Sequence, residues 1–477
     1  MKRSKFSLSH YKLASGNPGQ LIPVGCIDVL PGDTFDHSAS FLIRVSPLLA
    51  PVMHPVQVRI HHFFVPYRLL FPQWEAFITG QSVVPLPTLS VQAGGQSANR
   101  LIDYLGIPTE RSGVNFLDFA VRAYNRIWNE YYRDQDLDPA RTDTDVSMAR
   151  VAWGKDYFTT ARPWPQKGGN VVLPLGTSAP VISAGDGVPL FKVGNPASVS
   201  MGFAGGAGAL NTWSTLPVTA SQASWVNPKL QADLSAASAV NVRDVRLAFA
   251  LQRYNEARAK SGSRYTEYLA YLGVKSSDAR LQRPEYLGGG KQYLNFSEVL
   301  QTAEGTEPVG TLRGHGISAM RSQRYRRFFE EHGVVLSLLS VRPKSIYMDG
   351  MKRQFLKTSK EDFFQKELEF IGQQAILNNE VYTQPGSPGL ATFGYGNRYQ
   401  EYREEPSGVS GQFRNILNFW HMGRSFASAP ALYSTFIQCN PADRIYAVPT
   451  EDQLWMMIQH NCVARRIVSR STAAKVI

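Results

Sequence analysis

The sequence is poor in cysteine and in long apolar runs. Its 477 residues include three cysteines, Cys26, Cys439 and Cys462, and these lack the paired spacing of a zinc or redox motif. No apolar run approaches the roughly 18 residues that a membrane-spanning helix needs, and polar residues interrupt the N-terminus where a signal peptide requires an apolar segment. These absences argue against a disulfide scaffold and predict a soluble protein, kept in a reducing compartment and not inserted into a membrane.

The sequence also lacks the common motifs of catalysis and metal binding. Gly290-Lys291 is not followed by the Ser or Thr of a phosphate-binding loop. His61 and His62 are adjacent, and neighbouring side chains of a strand point to opposite faces, so this pair cannot chelate one ion. We therefore expect no enzymatic activity, no metal and no other cofactor. A triad dispersed along the chain is the enzymatic alternative that these patterns leave open.

Charge is scarce in one long segment. Between Gly168 and Asn241 only four of 74 residues are charged, whereas the average composition of the chain would give about 13. Gly, Ala, Ser, Thr and Pro dominate the segment instead. Since no linker divides the rest of the chain, we predict one domain over 1–477, with residues 168–241 as an inserted surface loop, and long loops of this kind are usually functional.

Basic residues are in excess and are grouped. The net charge is +12 and the pI about 9.5, which favours polyanionic partners. Both termini are purely basic, and the segment RSQRYRRFF mixes arginines with Tyr325, Phe328 and Phe329. We expect these groups to contact DNA, against the alternatives of solubilising tails and a subunit interface. The candidate DNA-contacting residues are Lys2, Arg3, Lys5, Lys12, Arg321, Arg324, Arg326, Arg327, Arg465, Arg466, Arg470 and Lys475.

The hydrophobic periodicity predicts a mainly β fold. Apolar residues alternate from Phe41 to Val45 and from Val56 to Phe64, a period typical of half-buried strands. Apolar residues recur every three or four positions from Phe116 to Tyr132, which predicts a helix. Further strands are expected in VVLSLLSV from Val334, and in the segments Ala375 to Tyr382 and Arg444 to Val448. Strands scattered among long insertions indicate a two-sheet jelly roll, with other β-sandwiches left open.

Several long strings resemble the major capsid proteins of the Microviridae, especially the gokushovirus-like branch. They are, in order, APVMHPVQVRIHHFFVPYR, SSDARLQRPEYLGGG, EHGVVLSLLSVRP, GYGNRYQEYREEPSGVSGQFR and WHMGRSFASAPALYSTFIQCNPADRIYAV. Together they span most of the chain. The resemblance implies an eight-stranded antiparallel jelly-roll sandwich with long loop and helical insertions, of which sixty copies form a T=1 icosahedral shell around circular single-stranded DNA.

The resemblance also implies partners and a place in the virus. In this family a long insertion forms a protrusion at the threefold axes, so residues 168–241 are expected to attach to a host-cell receptor through a tip that contains Met201, Phe203, Leu210 and Trp213. The other implied partners are a small basic DNA-packaging peptide, a minor pilot-type protein and an internal scaffold. The protein is expected in the virion, after assembly in the bacterial cytoplasm.

Charge arithmetic indicates that further cations are packaged, as polyamines, metal cations or a small basic peptide. Sixty copies carry about 720 positive charges, fewer than the about 1431 phosphates of a strand that encodes this chain alone. Two other classes stay open on residues alone. A single-stranded DNA-binding protein should concentrate several stacking aromatics in one site, and a jelly-roll carbohydrate-binding or hydrolytic protein should normally carry an export signal.

Overall fold

The structure of the chain is a computed structural model. It describes residues 3–81, 84–169, 171, 181–183, 190–193, 198–200, 223–227, 230–232, 242–303 and 308–469. Two compact units are present, one formed by residues 1–167 and 256–477 and the other by residues 168–255. The segment expected to be a loop, 168–241, falls within the second unit, and its described parts include five short strands.

Nineteen strands occur in the described ranges. They are β1 (Ser4–Ser7), β2 (His10–Gly16), β3 (Leu21–Val29), β4 (Thr34–Val45), β5 (Val56–Pro66), β6 (Thr88–Ser90), β7 (Asn115–Leu117), β8 (Val181–Ser183), β9 (Leu190–Val193), β10 (Ser198–Ser200), β11 (Ala223–Asn227), β12 (Leu230–Ala232), β13 (Glu285–Leu300), β14 (Leu312–Arg321), β15 (Tyr325–Phe328), β16 (Gly333–Pro343), β17 (Gln373–Leu377), β18 (Thr392–Asn397) and β19 (Leu454–Arg466). The mainly β class expected from the sequence is confirmed.

The helices of the described ranges are mostly short. They are α1 (Tyr67–Leu70), α2 (Trp74–Ile78), α3 (Gly95–Ala98), α4 (Arg100–Tyr104), α5 (Phe119–Ile127), α6 (Val242–Ser261), α7 (Tyr265–Tyr271), α8 (Asn378–Val381), α9 (Ser387–Leu390) and α10 (Ser434–Ile437). A π-helical turn and several 3-10 turns add to them, over Trp128–Tyr132, Arg353–Phe355, Lys360–Asp362, Lys366–Leu368, Gln400–Tyr402, Gly411–Arg414, Asn418–Trp420 and Asp443–Ile445. Within the described ranges, none of these helices combines the length and the apolar character needed to cross a bilayer.

The first unit is built on one curled antiparallel sheet. Its strands follow the order β1-β19-β4-β14-β13-β5-β16-β3, with β2 also paired to β19 and β15 also paired to β4. The long strand β13 joins two halves, because Leu294 and the residues before it pair with β5 while Asn295 and those after it pair with β14. We call the half with β1, β2, β4, β14, β15 and β19 the first half, and the half with β3, β5 and β16 the second half.

The main core lies between the two halves. Every second side chain of β5 and of β19 points into it, so that Val58, Ile60, Leu454 and Ile458 are almost fully buried. Burying a large aliphatic side chain stabilises the folded state by about 1.5–3 kcal/mol. The alternation read from the sequence between Val56 and Phe64 is therefore the pattern that closes this core.

The second half is buried on both faces. Strand β16 is buried at nearly every position without alternation, as expected of a strand covered on both sides. Its Leu336 and Leu338 pack in a second cluster with Phe119 and Tyr124 of α5, and the Tyr124 hydroxyl donates to the carbonyl of Leu21 at 2.7 Å. The outer face of the first half, in contrast, carries exposed side chains.

The expected strands in 41–45, 56–64 and 334–341 are confirmed, but two later expectations need correction. The segment Ala375 to Tyr382 is a strand only as far as Leu377, because the Glu380 carboxylate accepts the Leu377 backbone N–H at 2.9 Å and begins α8. The segment Arg444 to Val448 contains no strand. Its Arg444 side chain instead donates to the carbonyls of Asn418 and Gly423, at 2.8 and 2.7 Å, which holds a 3-10 turn.

The predicted helix at 116–132 is confirmed over a shorter range. Phe116 belongs to β7, so the helix begins at Phe119 and continues into the π-helical turn that ends at Tyr132. The apolar spacing identified the buried face of this helix. Phe116 fits the same spacing although it belongs to the preceding strand, so the spacing placed the start of the helix too early.

Candidate nucleic-acid interface

One end of the first half brings together basic residues from distant parts of the chain. Across the paired strands, Lys5 of β1 lies opposite Arg465 of β19, and Phe328 of β15 lies in the same row beyond Thr34 of β4. Adjacent strands are about 4.8 Å apart. The N-terminal group, the C-terminal group and the RSQRYRRFF segment therefore form one surface. We call it the basic end, made of Arg3, Lys5, Arg321, Arg324, Arg326, Arg327, Arg465 and Arg466.

Some of these cations are held by carboxylates. Arg324 makes a two-pronged ion pair with Asp36, and the hydrogen bond from this guanidinium lowers the pKa of Asp36. Arg327 donates to Glu285 at 2.7 Å. These pairs fix the orientation of β15 against its neighbours and leave less charge for a ligand.

Arg466 has a different role from the adjacent Arg465. Its guanidinium lies 3.0 Å from the fully buried carboxylate of Asp33, donates to the carbonyl of Asp28 and covers the ring of Phe35. Arg465 points the opposite way and is exposed. The strand alternation thus assigns one arginine to the fold and its neighbour to the surface.

The remaining cations of the basic end are exposed. Arg3, Lys5, Arg321 and Arg326 are on the surface together with Arg465, and the Arg3 guanidinium lies 4.8 Å from the centre of the Phe328 ring. Phe328 itself is 44% exposed. Cations around an accessible ring are the side chains that bind phosphates and stack on bases.

Other candidate residues lie elsewhere. Lys12 points to the interior side of β2, where its ammonium donates to the carbonyls of Pro23 and Tyr104, and burial lowers its pKa. Tyr325 and Phe329 are buried, so only Phe328 of the three aromatics is accessible. Candidate residues outside the described ranges are Lys2, Arg470 and Lys475, and also Met201, Phe203, Leu210 and Trp213.

Sequence reasoning missed four residues on the same face. Tyr11 and Leu13 of β2, and Trp455 and Met457 of β19, point away from the core and are 66%, 78%, 44% and 43% exposed. The residues next to Trp455 and Met457 on β19 are also apolar, so the sequence LWMMI does not show which of its side chains are buried. Only the pairing of the strands identifies these side chains as exposed.

The described residues show no cluster of three or more His, Cys, Asp or Glu side chains that could hold a metal ion. The three cysteines are unpaired. What the first unit offers instead is a broad exposed face, with cations at one end and apolar side chains in its middle. Such a face suits contact with other macromolecules.

Comparison with known proteins specifies which kind. The sequence model of the family described as "Capsid protein (F protein)" matches residues 1–474. The chain belongs to this family of capsid proteins. It is accordingly a structural component of the virion and not an enzyme, and the family implies self-assembly into a shell.

Three relatives match along nearly their whole length. Capsid protein VP1 of Bdellovibrio phage phiMH2K is 34% identical, over 94% of this chain and 90% of its own length. Capsid protein VP1 of Chlamydia phage 1 is 32% identical, over 94% and 92%. Capsid protein VP1 of Spiroplasma virus 4 is 29% identical, over 97% and 93%. The resemblance to the Microviridae read from the sequence strings is thereby confirmed.

Proposed function

We propose that sixty copies of this chain close into a T=1 icosahedral shell around a circular single-stranded DNA genome. The observation that carries the proposal is the match of the capsid family to essentially the whole chain. Family membership also favours this function over a replication-type DNA-binding protein and over a carbohydrate-binding or hydrolytic protein. Electron microscopy of purified virions or of the expressed protein tests it, with uniform closed particles as the expected result and small DNA-binding oligomers as the contradicting one.

We further propose that the curled sheet is an eight-stranded jelly roll. Strands β2, β19, β4 and β14 would form one sheet, and β13, β5, β16 and β3 the other, with β1 and β15 as short additions. The strand order supports this assignment, because each sheet alternates early and late strands, as a chain that folds back on itself along both sheets requires.

The basic end is proposed to bind the phosphates of the packaged strand. Support comes from five exposed cations drawn from three segments of the chain, which release counterions when they bind phosphates. Lys12 has no part in this proposal, since its ammonium is occupied by two backbone carbonyls.

Arg465 and Arg466 provide a matched test of this interface. Arg465→Gln should change the free energy of unfolding by less than about 0.5 kcal/mol and should lower the slope of log affinity for single-stranded DNA against log salt by about one. Arg466→Gln should instead cost about 3 kcal/mol of stability, because it leaves the buried Asp33 without its cation.

Urea denaturation and oligonucleotide titrations at several salt concentrations measure the two effects. Equal salt slopes for the wild type and Arg465→Gln would contradict the phosphate-binding role. A stability loss for Arg465→Gln as large as that for Arg466→Gln would contradict the assignment of their side chains.

The remaining partners follow from the shell. We propose that the particle also contains a small basic DNA-packaging peptide, because the shell carries too little charge to neutralise its genome. A pilot-type protein, an internal scaffold and assembly in the bacterial cytoplasm are proposed on the family resemblance, and residues 168–241 are proposed to contact the host receptor. Mass spectrometry of purified virions should find the basic peptide, and a virion with neither peptide nor small counterions would contradict this part.

A further inference from the structure

The middle of the outer face of the first half carries an unusual arrangement on β2. A strand with one solvent face normally buries its apolar side chains and exposes its polar ones. In β2 the order is reversed, since Tyr11 and Leu13 are exposed while Lys12 between them is turned to the interior. This reversal points to a surface that is covered when the protein functions.

Strand pairing extends this reversal into a continuous band. Leu13 lies opposite Met457, which lies opposite Leu42. Two residues along, Ser15, Trp455 and Arg44 form the next row. In the opposite direction along β2, Tyr11 begins a row across the paired strands that ends at Arg321 of the basic end. We call Tyr11, Leu13, Leu42, Trp455 and Met457 the apolar band.

Trp455 and Arg44 separate two surface depressions. One, of about 440 Å³, is also lined by Leu13, Leu42 and Met457. The other, of about 770 Å³, is also lined by His315 and Ile317. The indole and the guanidinium are therefore accessible from both sides, which suits a planar group placed against either face.

The charge around the apolar band identifies the type of ligand. Pairing places six cations on this face of the first half, and one carboxylate, Asp36, which Arg324 already binds. A second carboxylate, Asp452, borders the apolar band at Ser15 and is bound by Arg100. The cations are Lys5, Arg44, Arg313, Arg321, Arg326 and Arg465. A basic peptide would be repelled here, and an apolar protein surface would have to desolvate these cations. An anionic chain with flat apolar groups satisfies both features.

We propose that the apolar band stacks the bases of the packaged single strand on Tyr11 and Trp455, while the flanking arginines bind its phosphates. The inference rests on the proposed enclosure of single-stranded DNA and extends it from phosphate binding to contact with bases. Stacking is tolerant of sequence because every base has an aromatic face, as a shell that covers a whole genome requires.

Photochemical cross-linking of intact virions tests the proposal directly. Genomes grown with 5-iodouracil should give, after irradiation and digestion, base adducts on the peptides that contain Tyr11 and Trp455. Adducts confined to the basic end would overturn the stacking proposal and leave phosphate binding in place. A polypeptide cross-linked over Tyr11 and Leu13 would also overturn it, and would show that the band is a protein interface.

Oligonucleotide binding by the full-length chain gives a second, independent measurement. Trp455→Leu and Tyr11→Leu should each weaken binding of single-stranded DNA about five- to tenfold. Tyr433→Leu, which removes an aromatic that is 68% exposed outside the main sheet, serves as the matched control and should have no effect. Abasic oligonucleotides of equal length should bind more weakly to the wild type and equally to all variants.

The outcomes distinguish base stacking on the apolar band from phosphate binding at the basic end. If abasic and normal oligonucleotides bind alike and Trp455→Leu has no effect, base stacking is wrong, while a reduced salt slope in Arg465→Gln would still support phosphate binding. If Arg465→Gln also leaves the salt slope unchanged and virions give no adducts on this face, the DNA interface of the proposed function fails as well.

Discussion

Replacing residues 169–254 by a short Gly/Ser linker is expected to leave closed particles and to abolish attachment to the host. The deletion removes nearly all of the second unit, which begins at Gly168 and ends at Asn255. These two ends are close, since a Cβ added to Gly168 would lie 3.7 Å from the Asn255 side-chain amide. A short linker can therefore join them without stretching the chain.

The first unit keeps its own anchors on both sides of the deletion. The ammonium of Lys167 lies 3.1 Å from the Asp136 carboxylate, and Ser263 donates to the same carboxylate. Arg264 donates to the carbonyls of Asn129 and Arg133. Because these contacts hold the chain before and after the insertion, the free energy of unfolding of the first unit should not depend on the residues between them.

The measurement is particle yield together with adsorption to host cells. A smaller deletion, of Ser200 to Ser214, controls for damage at the anchors and should give the same result. Particles that form and fail to adsorb would support the attachment role of residues 168–241. Loss of particles in both variants, with the full-length chain assembling normally, would mean that the segment is required for the shell.

Acid is expected to destabilise the folded chain strongly, with most of the loss between about pH 6 and pH 4. Three buried histidines at the junction of the two halves carry the effect. Burial lowers the pKa of His37 to about 3 and that of His460 to about 4, and it also lowers the pKa of His62. Each folded-state pKa is thus below the value of about 6.5 expected when the chain is unfolded.

Neutral rings satisfy the hydrogen bonds that His460 and His37 make. The Nε2 of His460 lies 2.9 Å from the carbonyl of Val24 and must carry a hydrogen. Its Nδ1 is then an acceptor, so the Nε2 of His37, at 3.1 Å, donates to it. The remaining nitrogen of His37 accepts from the Tyr325 hydroxyl at 3.1 Å. Protonating His460 would force the His37 ring to change its tautomer, because two N–H groups would otherwise face each other. His62 bonds to the hydroxyls of Ser337 and Ser322.

The direction of the change in stability with pH follows from proton uptake. Below about pH 6.5 the histidines bind protons in the unfolded chain but not in the folded chain. The free energy of unfolding therefore falls as pH falls, by about 1.4 kcal/mol per pH unit for each histidine. Three histidines would lose roughly 4 kcal/mol per unit. His54 and His61 shift in the same direction. Asp138 opposes them, because burial raises its pKa to about 6.

Urea denaturation of the full-length chain at a series of pH values measures this slope. His62→Gln, whose amide can still bond to the two serine hydroxyls, should reduce the slope by about 1.4 kcal/mol per pH unit. A pH-independent stability between about pH 6.5 and pH 4.5 would contradict the neutral network.

The local hydrophobic pattern predicted the strands whose side chains are apolar on one face or on both faces. The alternation at Val56–Phe64 and the continuous run after Val334 both became central strands of the main sheet. The segment from Arg444 failed because its side-chain hydrogen bonds to distant carbonyls hold a turn, and no local pattern reports such contacts. The family resemblance added what periodicity could not, namely the assembly and its contents.

The candidate interface was predictable in its composition and not in its geometry. Lys5, Arg465 and Phe328 were identified as parts of separate basic groups, and only strand pairing places them in one row. Lys12 was included as part of the basic N-terminus, whereas in β2 the fold buries the charge and exposes Tyr11. Pairing between strands so far apart in sequence is fixed by the whole sheet, so a single segment does not encode it.

The most direct test of the central claim is the mass of the emptied particle, measured by charge-detection mass spectrometry after removal of the genome and of minor components. One sharp species at sixty times the chain mass of 53.0 kDa is expected. A closed particle with a different copy number would contradict the T=1 shell, and a chain that forms only small oligomers in the presence of the other virion components would contradict the shell itself.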